Sequence, residues 1–461
     1  MVTAKTPLSF TQLRQLIAHF PPVEDPMVAA LITQTGWQLL QDHPCPDPIE
    51  AANIAKYLRQ HYPPNLVASL QNQWKLREKA QEKIGTAAAS NCLFTRDGLE
   101  QATRGIVARQ RAKRFAAAAV TSLIDLGCGI GADSRELARS CPDFQAIDIS
   151  PAAATCAAIN LSHLPGAKVM CASAEQVVAQ KTLPALFVDP ARRAATGRVL
   201  SPASWSPPLG KVLEWGKRAP YLAVKMAPGI DLANLPAGYH AQWVSVAGDL
   251  VECALYSPGL APEGAWRSAL VIHGDQVTQY RCTSARNPAE SHVQVPQAAR
   301  LGNYLFDPDP AIIRAGILPD LCERLGAAPV STGIAYLTGN TRPTGQDALA
   351  LRCYQILETL PLKTKTVSSY LRSLQATRLD VLKRGVALDI ASWRKKVMPK
   401  KQREWIPHTV TVALTRVGGA HRCLVLEEAG AGQGANHTQE AGDAEGTITP
   451  RLPADCLVKP R

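Results

Sequence analysis

An α/β chain built around a doubly wound, mostly parallel sheet, with a helical unit before it and an α+β unit after it, is predicted from three observations. The first is Leu123-Ile-Asp-Leu-Gly-Cys-Gly-Ile-Gly131, an apolar strand that runs into glycines alternating at 127, 129 and 131. The second is a regular alternation of strand-like and helix-like runs from 123 to 256, the pattern of a sheet covered by crossover helices. The third is length: 461 residues exceed one hydrophobic core and imply two to four domains.

Glycine has no Cβ, so the 127–131 loop can turn tightly from strand to helix. A ligand can then lie on bare backbone where free N–H groups of the next helix point outward. Dinucleotide-binding loops space their glycines G-x-G-x-x-G and hold a pyrophosphate. Here the spacing is G-x-G-x-G, and Asp125 precedes the first glycine by two positions. A carboxylate there repels a pyrophosphate and suits a ligand with a cationic amino-acid end, which describes S-adenosylmethionine (SAM). The loop resembles the first motif of class I SAM-dependent methyltransferases. Asp125, Gly127, Gly129 and Gly131 are its candidate cofactor residues.

The elements that follow keep the register of such a fold. Residues 144–150 read as a second strand ending in Asp148, placed to accept both ribose hydroxyls, with Ile149 next to it for the adenine face. A helix with proline at its start spans 151–163. A third strand, 168–172, leads into Ser173, Ala174 and Glu175, the region expected at the adenine amino group. The fourth strand, Ala185-Leu-Phe-Val-Asp-Pro190, ends in Asp189-Pro-Ala-Arg-Arg193, expected on the substrate side. Lys225 ends a fifth strand on the ligand-facing edge, placed to meet a substrate phosphate or Asp189, or to cap the strand. Residues 242–246 and 250–256 suggest a closing antiparallel hairpin.

Upstream, Leu13, Leu16, Ile17 and Phe20 recur at helical spacing, and the pattern returns at 27–40 and 49–58. Residues 104–115 form a basic helix that either folds over the pocket mouth or presents a solvated face between domains. Downstream, 266–272 and 277–281 look like a β-hairpin, too small for a core of its own. The expected organisation is a helical domain and connector at 1–115, a catalytic α/β domain at 116–257, a small β module at 258–300, an α+β module at 301–427 and a disordered tail at 428–461.

The net charge is +12, which favours an anionic partner. Between 363 and 403 stand twelve basic residues, Lys395, Lys396, Lys400 and Lys401 among them, against Asp380 and Asp389. Such density predicts a phosphate footprint, the alternative being a basic surface with no partner. The interleaved Tyr370, Trp393 and Trp405 either stack bases or pack a core. Twelve cysteines include no C-x-x-C pair, which argues against zinc, an iron–sulfur cluster or a disulfide framework. With no signal pattern and no apolar run that spans a bilayer, the expectation is a cytoplasmic protein without metal or membrane.

The glycine motif, Asp189-Pro-Ala-Arg-Arg193, Val224-Lys-Met-Ala-Pro-Gly229, Phe306-Asp-Pro-Asp-Pro310 and the Lys383-Arg-Gly385 turn together resemble bacterial class I SAM-dependent methyltransferases with a C-terminal THUMP-like domain. The resemblance covers nearly all of the chain except the tail and the first few residues. It implies a helical N-terminal part, a Rossmann-like methyltransferase domain, a small ferredoxin-like insert at 258–300 and a THUMP-like module at 301–427. THUMP domains bind RNA in better-understood enzymes, so the implied substrate is a structured RNA such as tRNA or rRNA. Asp189, Pro190 and Arg192 are the candidate catalytic residues, although Ala191 and Arg192 depart from the Asn/Asp/Ser-Pro-Pro-aromatic pattern of exocyclic-nitrogen methylation. No cysteine stands beside Asp189, which argues against a covalent pyrimidine mechanism. A methyltransferase of a small molecule or protein has no need of the basic module. A non-catalytic RNA-binding protein has no need of the intact cofactor set.

Overall fold

The architecture comes from a computed structural model that describes residues 8–179, 183–194, 197–198, 201–284, 287–400 and 405–429. Lys401 and the tail beyond Ala429 lie outside the described residues.

The N-terminal unit contains α1 (Phe10–Ile17), α2 (Pro26–Leu31), α3 (Gln34–Asp42), α4 (Pro48–His61), α5 (Pro64–Ile84), α6 (Thr86–Ala89), α7 (Arg96–Gln101) and α8 (Gly105–Ala117). Two helices start the same way. Asp25 and Asp47 cap α2 and α4 with their carboxylates, and a proline follows at the first helical position, where no N–H is needed. Leu13, Leu31, Leu58, Leu70 and Trp74 converge in one core.

The central sheet uses β1 (Ser122–Leu126), β2 (Asp143–Asp148), β3 (Ala167–Cys171), β4 (Ala185–Val188), β5 (Leu222–Met226), β6 (His240–Val246), β7 (Asp249–Tyr256), β8 (Arg267–His273) and β9 (Gln276–Arg281). Their order is β3-β2-β1-β4-β5-β7-β6-β8-β9. The first five strands are parallel, and β7 is antiparallel to both β5 and β6. The strand order reverses between β1 and β4, the crevice where α/β sheets bind ligands. Flanking helices are α9 (Ser134–Ser140), α10 (Pro151–Leu161), α11 (Ala174–Val177) and α12 (Leu209–Gly216). Helix α10 is apolar all round because it is covered on both sides. One side meets the sheet, and Cys156, Ala158 and Ile159 join the core of the N-terminal unit. Its buried Asn160 donates to Leu93 O at 3.0 Å and Ile130 O at 2.9 Å and accepts from Leu93 N at 2.7 Å. The glycine loop and the helical unit are thereby fastened to one side chain.

The hairpin at 267–281 corrects the expected domain plan. It is not a separate ferredoxin-like module, because β8 pairs in parallel with β6 and extends the central sheet, and β9 completes its edge. Two strands cannot bury a core alone, and the open edge of β6 supplies the missing neighbour.

A second sheet contains β10 (Tyr304–Pro308), β11 (Ala328–Pro329), β12 (Leu337–Gly339), β13 (Leu351–Pro361), β14 (Arg378–Lys383), β15 (Thr409–Val417) and β16 (Ala420–Glu428). Their order is β11-β12-β10-β13-β16-β15-β14. Its helices are α13 (Pro310–Ala315), α14 (Leu318–Leu325), α15 (Gly345–Leu349), α16 (Thr364–Ser373) and α17 (Ile390–Val397). Alternation sorts the faces of β15: Val412 and Leu414 meet Val367 and Leu371 of α16 and Trp393 and Val397 of α17, while Ala413 meets Tyr336 and Tyr354 opposite. Two motifs distant in sequence meet here. Arg384 donates to Asp307 Oδ1 through Nε at 3.0 Å and Nη2 at 2.7 Å and covers the Tyr336 ring. The expected boundary at 301 is crossed by packing, since Ala311, Ile312 and Ala315 of α13 share a core with Trp243 and Val271 of the central sheet.

Helix α8 joins the N-terminal unit to the sheet through charge. Arg111, 1% exposed, donates one guanidinium nitrogen to Asp133 and another to Glu252 of β7, and lies over the Phe187 ring. Burial disfavours its charge, yet the two carboxylates outweigh that and hold it more firmly protonated than a free guanidinium. The basic helix is therefore largely an internal clamp rather than a solvated face, with Arg114 likewise paired to Glu263 at 2.6 Å. Arg111→Met leaves Asp133 and Glu252 buried without their guanidinium, and is expected to cost about 3–5 kcal/mol, read from the urea midpoint.

Candidate active site

A cavity of about 590 Å³ lies at the carboxyl ends of β1, β2, β4 and β5, in the size range of cofactor sites. Its floor is the glycine loop. Gly127, Gly129 and Gly131 have φ of +82°, +56° and +82°, which disfavour any Cβ. Gly127 is also packed hard: a Cβ there would stand 2.5 Å from the Asp189 carbonyl oxygen. The first and fourth strand ends are thus in direct backbone contact, which brings the cofactor and substrate motifs together. Gly129 faces open space, with nothing within 4 Å of a Cβ.

Asp148 is held from two sides. Its Oδ2 accepts from Gly129 N at 2.8 Å and its Oδ1 from Ser150 N at 2.9 Å. Burial nevertheless pushes its carboxyl above the usual range. Ile149, an apolar side chain 73% exposed, stands beside it on the cavity wall. Asp125 is fully buried, and its Oδ2 accepts from Ser134 Oγ at 2.5 Å. Its Oδ1 has no hydrogen-bond partner among the described residues, and burial pushes its carboxyl well up. Ser173 caps α11 by accepting from Gln176 N at 3.3 Å, Ala174 opens that helix, and Glu175 pairs with Lys211 at 3.3 Å. All of these expected cofactor residues line the cavity except Gly131, which sits behind the loop against Leu161.

On the opposite wall, Lys225 Nζ donates to Asp189 Oδ2 at 2.8 Å. The carboxylate is the more open of the two, 27% exposed against 8% for the lysine. Burial works against the Lys225 charge, but Asp189, Asp133 and Glu252 outweigh it and raise its pKa. Pro190 and Arg192 line the same wall, and the Arg192 Nη1 is buried with no partner among the described residues. Cys128 also lines the cavity, but burial pushes its thiol well up, and Cys253 is closed into β7 with the same shift. Neither is poised as a thiolate nucleophile. Among the described residues, no group of His, Cys, Asp and Glu could hold a metal ion, and no helix is long and apolar enough to cross a membrane.

Some site residues escaped the sequence reading. The helical unit forms the cavity rim: Lys83 donates to Leu99 O at 2.7 Å and Glu100 O at 2.8 Å, and Thr103 donates to Asp133 Oδ2 at 2.6 Å. Burial, with Arg104 and Lys225 nearby, lowers the Lys83 pKa. No motif marks Lys83. Glu252 did carry a signal, an acidic residue inside the otherwise apolar strand Leu250-Val-Glu-Cys-Ala-Leu-Tyr256.

Lys395 and Lys396 are exposed on the last turn of α17, and Lys400 is exposed just beyond it. None of the three lines the cavity. Trp393 and Trp405 are buried and Tyr370 is half-buried, so these aromatics pack the module rather than its surface.

Two carboxylates, a bare glycine backbone and an exposed apolar side chain fit a ligand with an ammonium, a ribose and an adenine, and the orphaned Asp125 oxygen fits the ammonium. Residues 351–428 match the family described as THUMP domain-like. An uncharacterized S-adenosylmethionine-dependent methyltransferase of Mycobacterium tuberculosis, from strains CDC 1551 / Oshkosh and H37Rv, is 31% identical over 352 residues, covering 74% of this chain and 91% of the relative. A solved structure from Porphyromonas gingivalis W83, provisionally assigned as a methyltransferase, superposes with a TM-score of 0.64 at 18% identity, over 84% of this chain and all of the other. The THUMP-like match starts later than the expected 301, at the first residue of β13, although β10 pairs with β13 in the same sheet.

The glycine geometry predicts an order of sensitivity. Gly129→Ala meets only the backbone cost, about 1–2 kcal/mol. Gly127→Ala adds a clash with Asp189 and is expected to destabilise more, which thermal and urea unfolding of the two variants will rank.

Proposed function

The chain belongs to the S-adenosylmethionine-dependent methyltransferases, and from that membership we propose that it methylates a base of a structured RNA, tRNA or rRNA, in the cytoplasm. SAM is its cofactor and supplies an electrophilic sulfonium methyl. Asp148 accepts the ribose hydroxyls, Ile149 packs on the adenine, Ser173 and Ala174 with Glu175 border the adenine edge, and Asp125 faces the amino-acid end. The glycine backbone lets the cofactor approach without side chains. Asp189, Pro190 and Arg192 form the acceptor side. The buried, protonated Cys128 and Cys253 support transfer without a covalent enzyme intermediate.

The observation that carries the RNA reading is the outward face of the THUMP-like domain. Helices α16 and α17 bury Val367, Leu371, Trp393 and Val397 against the sheet, so their other faces are free to carry charge. Lys365, Arg372, Arg394, Lys395 and Lys396 stand exposed there, with Lys400 following. This face is separate from the cavity, as expected if one surface grips phosphates while another holds the reacting base.

Two measurements test this reading. Asp148→Ala is expected to weaken SAM binding by roughly 1.5–3 kcal/mol in calorimetry, the scale of charge-assisted hydrogen bonds. Neutralising Arg394, Lys395, Lys396 and Lys400 together is expected to flatten the salt dependence of RNA filter binding by about one unit for each phosphate no longer neutralised, with SAM affinity unchanged. An unaltered slope, or no RNA binding by the native protein at low salt, removes the RNA reading.

A further inference from the structure

The acceptor wall carries a donor and an acceptor side by side. Lys225 Nζ and Asp189 Oδ2 are 2.8 Å apart, both line the cavity, and the carboxylate is the more open. An ammonium has three hydrogens and Asp189 engages one; a carboxylate has two oxygens and Lys225 engages one. The pair therefore offers the cavity one hydrogen-bond acceptor next to one cationic donor. Resting on the RNA reading above, we propose that Asp189 and Lys225 select and activate a lactam edge of the base, the adjacent ring N–H and C=O of guanine or uracil, with the ring nitrogen as methyl acceptor.

The sign of the charge that develops during transfer decides between bases. When an exocyclic amino group of adenine or cytosine attacks a sulfonium, positive charge grows on that nitrogen, and a fixed ammonium beside it is unfavourable. When a lactam nitrogen is deprotonated, negative charge grows on the carbonyl oxygen, and the same ammonium stabilises it. The ring N–H proton passes to Asp189, and its electron pair stays on the lactam, shared by nitrogen and oxygen. The nitrogen pair forms the bond to the methyl carbon, and the sulfur–methyl pair returns to sulfur, leaving a neutral thioether and a neutral N-methylated base. Asp189 then releases its proton to water. Lys225 is charged throughout. Asp133, Glu252 and Asp189 face it with negative charge, Arg111 and Lys83 contribute positive charge from α8 and α5, and Asp125 lies beyond Asp189. The ring of charges around the pair is thus closer to neutral than the acidic residues alone suggest.

The test maps the modified atom. Full-length protein is incubated with deuterium-labelled SAM and total bacterial RNA, and the RNA is digested to nucleosides for mass spectrometry. The expected product is 1-methylguanosine or 3-methyluridine. Label on an exocyclic amine, a ring carbon or the ribose overturns the lactam proposal and leaves the RNA reading standing; no label in any RNA overturns both. Lys225→Met, with SAM affinity and melting temperature measured as controls, is expected to lower kcat by about a hundredfold to a thousandfold, the usual effect of removing an oxyanion donor. Lys225→Arg should restore part of it. The deficit of Lys225→Met should also narrow as pH rises toward the ordinary ionisation of a free lactam, where the base loses its proton unaided. A deficit that is constant with pH overturns the oxyanion role.

Discussion

The buried contact of Arg111 with Asp133 and Glu252 is the constraint on which the site depends. It ties three separate stretches of chain, α8, the loop before α9 and strand β7, into one charged node beneath the cavity. A buried guanidinium is tolerated only when its partners are fixed, and its partners only when it is present. The contact holds α8 of the N-terminal helical unit on the sheet, where Lys83, Thr103 and Arg104 of that unit line the cavity. Asn160 makes the same link on the other flank, through Leu93 and Ile130, without charge.

What could be read from the sequence follows from range. The glycine loop, Asp148 and the strand ending at Asp189 are local statements: a glycine required by positive φ, a carboxylate at a strand end, a proline after it. Their residues are enough to place them in a sheet of this type. The fate of 267–281 is not local. Its alternation says hairpin, but which edge receives it depends on β6, more than twenty residues away, and on the open hydrogen bonds there. Arg111 misled for a related reason. In sequence it is one of five cations on a helix, and only the positions of Asp133 and Glu252 separate it from Arg109, which is exposed. The aromatics between 370 and 405 had two readings, and their burial chose one. For Lys225, the fold brings Asp189 to it across the β4–β5 pairing.

Electrostatics divides the molecule into two regions with different logic. Around the cavity, several charges are buried and matched: Arg111 with two carboxylates, Lys225 with Asp189, Asp148 with two backbone N–H groups. Each is oriented before any ligand arrives, so little rearrangement is needed on binding. On α16 and α17, charges are exposed and unmatched in sign, and their effect is long-ranged and screened by salt. One region is suited to geometry and the other to capture.

The shared core of α13 with β6 and β8 has a mechanical consequence. Ala311, Ile312 and Ala315 are buried in the same cluster as Trp243 and Val271, so the second sheet is joined to the first by side chains that cannot separate without exposing apolar surface. A flexible tether would let the gripping surface search for a nucleotide at variable reach. This joint is a fixed ruler instead. If the basic face holds RNA, the span from phosphate grip to reacting atom is set by the protein, and only polymers whose own shape supplies that span present their target correctly. Selection among sites would then fall to RNA architecture, with the bases around the target contributing less than the distance at which they are displayed.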